Sequence, residues 1–165
     1  MGFPVDIADL EHANVARVRA YAAERGVALE VRRFPAGTRT AEDAARAIGV
    51  QVGQIVKSLV FRAADETLLV LCSGAARVDE AKLAAVAGAP TVRRATAHEA
   101  KQATGFAIGG VPPFAHATPC RVFCDSGLLV FDEVWAACGL PDAVFPVAPR
   151  VLVGLAGASV DDIAG

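Results

Sequence analysis

Residues 54–61 read QIVKSLVF, and this stretch decides the fold of the chain. A polar turn around Asp65 follows it, and a second apolar run then covers residues 67–72. Short runs of β-branched and aliphatic residues on either side of a polar turn are typical of two paired strands. We therefore predict that the two runs form a β-hairpin.

Helix signals and further β-rich segments lie on both sides of this hairpin. Thr40 and Thr96 stand where a side chain can cap a first helical turn, and glycines stand where helices would end. The predicted helices cover residues 7–25, 40–49, 78–86, 96–105 and 149–157, and the other predicted strands cover residues 27–34, 121–124, 128–131, 134–138 and 143–147. This order favours one α+β domain with a mixed sheet, spanning residues 1–165, over a regular parallel βαβ fold.

The composition is that of a compact globular protein. Of the 165 residues, 54% are hydrophobic and 21% are charged, which leaves ample apolar surface to offset the entropy of the chain. The uncharged apolar runs are far shorter than the roughly 20 residues of a membrane-spanning helix. The first residues also lack the pattern of a secretory signal. We expect no membrane association and a cytoplasmic location.

Net charge and cysteine usage narrow the classes of function. A formal net charge of -2 argues against a broad electrostatic surface for nucleic acid, while small local contacts are compatible with it. The four cysteines lie mostly in apolar segments that are typical of buried thiols. The spacing of His116, Cys120 and Cys124 lacks any CxxC pair, so we predict no metal site and no cofactor.

Lys57 is the charged residue of the stretch 54–61. In a strand it shares a face with Leu59 and Phe61, and neither face of that strand is plainly the solvated one. Leaving its ammonium group without a partner inside the fold would be energetically costly. Two interpretations stay open: a lysine that extends to the solvated rim of the sheet, or a cation that holds a substrate carbonyl or phosphate.

The segment 105–116 reads GFAIGGVPPFAH and is rich in glycine and proline. Glycine lets another molecule approach backbone N–H groups closely, and proline stiffens the chain. A nucleotide-binding turn is excluded because Pro112 and Pro113 stand where its helix would begin. The segment is therefore either a structural turn or a loop whose N–H groups hold a carbonyl oxygen.

Four ordered motifs resemble the YbaK/EbsC family. They are residues 38–45 (TRTAEDAA), 54–61 (QIVKSLVF), 104–113 (TGFAIGGVPP) and 134–139 (VWAACG). That family is similar to the editing domain of bacterial prolyl-tRNA synthetases, and its characterised members hydrolyse the ester that joins a wrong amino acid to transfer RNA. The resemblance implies a mixed, barrel-like sheet flanked by helices, and an aminoacyl-tRNA deacylase that acts in trans on mischarged transfer RNA.

The resemblance also implies roles for individual residues. Lys57 would help to bind the terminal nucleotide or the carbonyl end of the substrate, and the backbone of residues 109–113 would position the ester, with Gly109 and Gly110 as catalytic positions. The expected substrate-binding residues are Phe34, Val111, Pro113, His116 and Ala137. Because an aminoacyl ester is already activated, positioning it against water, the ribose hydroxyl or the substrate's own side chain would supply much of the acceleration.

Two positions depart from the family pattern. Members that remove cysteine from prolyl-tRNA use polar residues near the positions of Ala137 and Val144, which are apolar here. We therefore expect a pocket for a small or apolar aminoacyl group, on tRNA(Pro) or a similar transfer RNA. Two other classes stay open: a module that binds the transfer RNA 3' end or an aminoacyl-tRNA synthetase without hydrolysis, and a thiol enzyme that uses Cys72 or Cys138.

Overall fold

The computed structural model describes residues 12–34 and 40–165. Within these ranges the α-helices are α1 (Ala13–Glu24), α2 (Ala41–Ile48), α3 (Glu80–Ala87), α4 (Ala97–Thr104) and α5 (Pro149–Ala156). The strands are β1 (Arg32–Arg33), β2 (Val56–Ala63), β3 (Glu66–Ser73), β4 (Arg93–Arg94), β5 (Arg121–Asp125), β6 (Val134–Ala137), β7 (Ala143–Val147) and β8 (Ser159–Asp161). None of these helices has the length and apolar character needed to cross a membrane. The predicted helical residues 7–11 and the motif residues 38–39 lie outside the described residues.

Local capping explains why the predicted helices form. Thr40 Oγ1 accepts a hydrogen bond of 3.0 Å from the Asp43 N–H at the start of α2, and Gly49 ends this helix with a left-handed φ of 90°. At the start of α4, Thr96 and Glu99 each accept a hydrogen bond from the other's N–H, and these two bonds form a capping box. These interactions involve residues a few positions apart, so the sequence alone predicts them.

The predicted hairpin is confirmed by the pairing of β2 with β3. The two strands run antiparallel from the pair Val56 and Ser73 to the pair Ala63 and Glu66. Strand β3 also pairs in parallel with β5, and its residues 68–72 are completely buried. Both edges and both faces of β3 are therefore covered, as expected for a central strand with a continuous apolar run.

The strands form two sheets. The larger has the order β4-β2-β3-β5-β8 and the smaller has the order β1-β7-β6. The larger sheet contains both parallel and antiparallel pairs, which confirms the mixed sheet and the α+β class. In the described part of the chain the two sheets meet at one bridge, between Ile55 and Trp135. They diverge beyond it, so the sheet is not closed into a barrel, and the expected barrel-like closure is wrong.

Three apolar clusters hold the layers together. The main cluster packs Val56 and Val60 of β2 against α1 and the smaller sheet, and a second packs Phe61 on the opposite face of β2 against α3. The third cluster joins Ala44 of α2 to Trp135 of β6 and to Ile55. Helix α2 therefore lies over the place where the two sheets meet.

Two predicted strands are corrected by the structure. Residues 27–34 form a strand only at Arg32–Arg33, because β7 offers partners there only at its first two residues. Residues 128–131 belong mainly to the 3-10 helix Ser126–Val130, which begins where Asp125 accepts a hydrogen bond from the Gly127 N–H. The short strands β4 and β8 were not predicted, because two or three residues give no readable alternation.

Asp125 is a buried carboxylate that ties the end of β5 to the C-terminal residues. Its side chain is 3% exposed. One oxygen accepts hydrogen bonds from the N–H groups of Ile163 and Ala164, at 3.0 and 3.1 Å, and the other accepts from Gly127 at 3.0 Å. The carboxylate thus satisfies three backbone donors, which marks it as a structural residue.

We predict that Asp125→Ala lowers the free energy of unfolding by roughly 2–4 kcal/mol, because the buried N–H of Ile163 and the part-buried N–H groups of Ala164 and Gly127 lose a charged acceptor. Urea titration followed by circular dichroism measures the loss. Asp132→Ala, which removes an exposed carboxylate from the same region, is the control and should change stability by less than about 0.5 kcal/mol. Equal effects of the two substitutions would contradict the assigned role.

Candidate functional site

A cavity of about 250 Å³ lies where the two sheets diverge. It is bordered by β2, by the first turns of α2, by β6 and β7, and by the segment that follows α4. Most of its lining is apolar and includes Ala44, Ile55, Val60, Val111, Ala137 and Val144. An apolar concave site with a few polar groups is the usual setting for a small ligand.

Lys57 reaches this cavity from β2. It lies opposite Cys72 in the β2–β3 register, so its side chain is on the face of the sheet that packs against α3. The side chain is partly buried, and its ammonium donates a hydrogen bond to the carbonyl of Ala76. That bond uses one of the three N–H donors of the ammonium group. The partly buried charge of Lys57 is therefore partnered by a backbone carbonyl and not by a carboxylate.

Two consecutive glycines shape the loop 109–113 beside the cavity. Gly109 lines the cavity and has a φ of 92°, which a residue with a side chain rarely adopts. Gly110 packs against Leu140, where a Cβ would come within 2.9 Å of the Leu140 Cα. Glycine is therefore required at Gly109 by conformation and at Gly110 by close packing.

The loop is held by neighbouring elements on two sides. His116 donates from Nε2 to the carbonyl of Pro112 over 2.7 Å, which leaves Nδ1 as the acceptor facing the Cys120 sulfur at 3.9 Å. On the other side, Asn14 of α1 donates to the carbonyl of Gly139, whose turn packs against Gly110. These contacts fix the position of the loop relative to β6 and β7.

The cavity brings together some of the residues that the sequence singled out. Its lining contains Lys57, Gly109, Val111, Ala137 and Val144. The remaining predicted site residues lie outside the lining. Gly110 and Pro113 are buried in the loop, Phe34 packs against the third apolar cluster, and His116 braces Pro112.

Sequence reasoning did not place Trp135 or Ser58 at the site, and it offered Arg94 only as one of several arginines that could form a basic rim. Trp135 alternates with Ala137 in the motif 134–139, so its position on the same face as Ala137 was a readable signal. Arg94 and Ser58 also line the cavity. The sequence around each of them contains no pattern that indicates a site residue. Their exposure to the cavity depends on which strand edge stays without a partner.

The ionisable groups that line the cavity are cationic. Among the described residues these groups are Lys57 and Arg94, and the guanidinium of Arg94 also lies 5.5 Å from the centroid of the Phe61 ring. No carboxylate, imidazole or thiol of the described chain is part of the lining. The arrangement suits a ligand with an anionic end and an apolar end, and within the described lining no general base accompanies the hydroxyls of Ser58 and Thr40.

The thiols are unsuited to nucleophilic chemistry at neutral pH. Burial raises the pKa of Cys124 and of Cys138 to about 12, and the pKa of Cys120 to about 11. Burial also raises the pKa of Cys72, although the nearby Lys57 charge opposes this shift. Nucleophilic cysteines require a lowered pKa, so the geometry gives no support to a thiol enzyme.

We predict a pH-dependent stability that originates at His116. Burial lowers the pKa of His116 below its usual value of 6.5, so the folded protein favours the neutral ring. The stabilisation that comes from burying the neutral ring is therefore fully present above the pKa of His116 in the unfolded chain. It is lost as the pH falls below that value and through the lower pKa of the folded protein. Melting temperatures measured from about pH 7.5 to 5 should fall less steeply in His116→Gln than in the wild type. Identical slopes would contradict this assignment.

Comparisons with known proteins identify the family to which the chain is similar. Residues 35–155 match the model of the family described as the aminoacyl-tRNA editing domain. A solved structure of a candidate trans-editing enzyme for prolyl tRNA synthetase is 46% identical, with a TM-score of 0.88 over 93% of this chain and 98% of that one.

Two relatives with curated names are also similar to this chain in sequence. The uncharacterised protein YwhH of Bacillus subtilis is 35% identical over 74% of this chain and 78% of its own length. The proline-tRNA ligase of Lactobacillus helveticus is 38% identical over 66% of this chain, which corresponds to 19% of the ligase. The chain thus spans only a small part of the ligases that it matches. It belongs to the aminoacyl-tRNA editing domain family, a family of aminoacyl-tRNA deacylases.

Proposed function

We propose that this deacylase acts in trans on transfer RNA that carries a small, apolar wrong amino acid, on tRNA(Pro) or a similar transfer RNA. Similarity to the candidate trans-editing enzyme and to a segment of proline-tRNA ligases supports the choice of transfer RNA. The apolar residues Ala137 and Val144 in the cavity support the choice of acyl group.

The composition of the cavity lining is the observation that carries this proposal. Its walls are apolar, and its described ionisable groups, Lys57 and Arg94, are cations. The 3' end of an aminoacylated transfer RNA combines a small acyl group with an anionic phosphodiester. A cavity of about 250 Å³ with this lining fits the acyl group, while cations at its border fit the phosphate.

The proposed mechanism relies on positioning. Lys57 binds the phosphate or carbonyl end of the terminal aminoacyl nucleotide, and the backbone of Gly109 lies beside the ester. A water molecule attacks the carbonyl carbon and gives up a proton, with the neighbouring ribose hydroxyl placed to orient that water, and the bond from the carbon to the ribose oxygen breaks. The departing oxygen takes up a proton, and after hydrolysis the products are the free amino acid and uncharged transfer RNA. Holding an activated ester in a reactive geometry supplies much of the acceleration.

We predict that Lys57→Ala lowers kcat/KM about 10- to 150-fold, because a charged hydrogen bond contributes about 1.5–3 kcal/mol. The measurement is release of labelled amino acid from a panel of mischarged transfer RNAs, with melting temperatures to verify folding.

Lys82→Ala is the matched control for this experiment. Lys82 lies on α3, outside the cavity lining, and bonds to Asp162, so its loss should leave kcat/KM unchanged. Release of no amino acid from any member of the panel would refute the proposed function. Equal activity of Lys57→Ala and wild type would refute the role of Lys57.

We also predict that Val144 limits the size of the acyl group. Val144 is 8% exposed and pairs with Ala137 across β6 and β7. Val144→Ala should raise the rate for an acyl group one methylene larger, relative to the smaller one, by about tenfold. Val86→Ala, at an exposed position of α3, is the control. An unchanged ratio of the two rates would exclude Val144 from substrate selection.

A further inference from the structure

Strand β2 has one complete edge and one interrupted edge. Its complete edge pairs with β3 along the whole strand. On the other edge, the bridge between Ile55 and Trp135 stands at one end, and the hydrogen bond from the Ala95 N–H to the Val60 carbonyl stands at the other. Between these two points the described chain provides no strand partner, and the gap lines the cavity.

Ser58 lies in the middle of this gap. In an antiparallel pair, successive residues direct their backbone groups to opposite edges. The carbonyl of Ile55 accepts from Gly74 on the β3 side, and the carbonyl of Val60 accepts from Ala95 on the other side. The same alternation directs the N–H and the carbonyl of Ser58 away from β3, to the interrupted edge. Neither group has a backbone partner in the described part of the chain.

Two side chains of the cavity lining also carry unpartnered polar atoms. Ser58 Oγ and Trp135 Nε1 are buried and make no hydrogen bond within the described residues, and Trp135 is only 4% exposed. Buried polar groups without partners are uncommon in folded proteins and call for an explanation. A bound ligand with complementary donors and acceptors is such an explanation, and both residues line the same cavity.

We propose that the main chain of Ser58 binds the aminoacyl group as if it were one residue of an added strand. The Ser58 N–H donates to the ester carbonyl oxygen, and the Ser58 carbonyl accepts from the α-ammonium group. An aminoacyl group has its nitrogen, Cα and carbonyl in the order of a strand residue, so an antiparallel pair satisfies both bonds. This inference rests on the proposed function and adds to it the groups that recognise the reacting ester.

The arrangement assigns a chemical role to a backbone donor. When water attacks the carbonyl carbon and gives up a proton, an electron pair moves onto the carbonyl oxygen, and the Ser58 N–H stabilises that negative charge. Collapse of the intermediate restores the carbonyl and expels the ribose oxygen, which takes up a proton. A backbone donor fixed in a sheet requires no reorganisation during this step. Antiparallel pairing also directs the ester end toward Lys57 and the ammonium end toward Leu59.

An amide-to-ester replacement tests the donor directly. The protein with lactic acid at position 58 differs from Ser58→Ala only in having an ester oxygen in place of the N–H. We expect kcat to fall about 100-fold between these two proteins, the usual effect of removing one oxyanion donor. Position 62 gives the matched control, because the Arg62 backbone faces β4 and lies outside the cavity lining. Arg62→Ala and its lactic acid counterpart should have equal kcat values.

A second measurement uses the wild-type protein and does not depend on folding of a variant. The rate enhancement over spontaneous hydrolysis is compared for the best panel substrate and for the same acyl-tRNA without its α-amino group. We expect the enhancement to fall at least about tenfold, because the Ser58 carbonyl loses its charged donor.

The outcomes distinguish a failure of the role assigned to Ser58 from a failure of the proposed function. Equal kcat values for the position 58 pair, or an unchanged enhancement without the α-amino group, would overturn the role of Ser58 and leave the proposed function standing. Absence of turnover across the whole panel would overturn the proposed function and this inference together.

Discussion

The antiparallel pairing of β2 with β3 is the interaction on which the rest of this structure depends. Residues 68–72 of β3 are completely buried, and the other edge of β3 pairs in parallel with β5. With β3 covered on every side, α3 packs on one face of the large sheet and the main core packs on the other. Among the described residues, the neighbours of strand β2 cover one of its edges only at the two ends, and the cavity forms along the remainder.

In the proposed function, this open edge explains how an apolar cavity, whose described lining contains no acid and no imidazole, can serve as a polar reaction centre. The polar groups that Ser58 and Gly109 offer are largely main-chain atoms, which do not titrate and are held by the surrounding fold. The charge comes from Lys57 and Arg94, at the border of an apolar space in which electrostatic interactions are stronger than in bulk water. An activated ester needs orientation more than it needs a protein nucleophile, and such a site provides orientation.

The loop 109–113 contains a glycine with a structural role and a glycine that faces the cavity. Gly110 is a structural requirement, because the turn at Leu140 leaves no room for a side chain. Gly109 faces the cavity, where its bare backbone is accessible to a ligand. Gly139 in turn packs against Asn14 of α1, so the position of the first helix helps to determine the position of the loop at the cavity. Fold and site therefore share the same close contacts.

The sequence by itself determined the hairpin and the capped helices at Thr40 and Thr96, and it predicted Lys57 as a site residue. These features depend on residues that are near one another along the chain, or on motifs that a family shares. The tertiary structure alone decided that the sheet stays open, that Ser58 faces the gap, and that His116 braces Pro112 instead of lining the cavity. Strand edges pair or stay free according to partners distant in sequence, and no local pattern records which edge is left open.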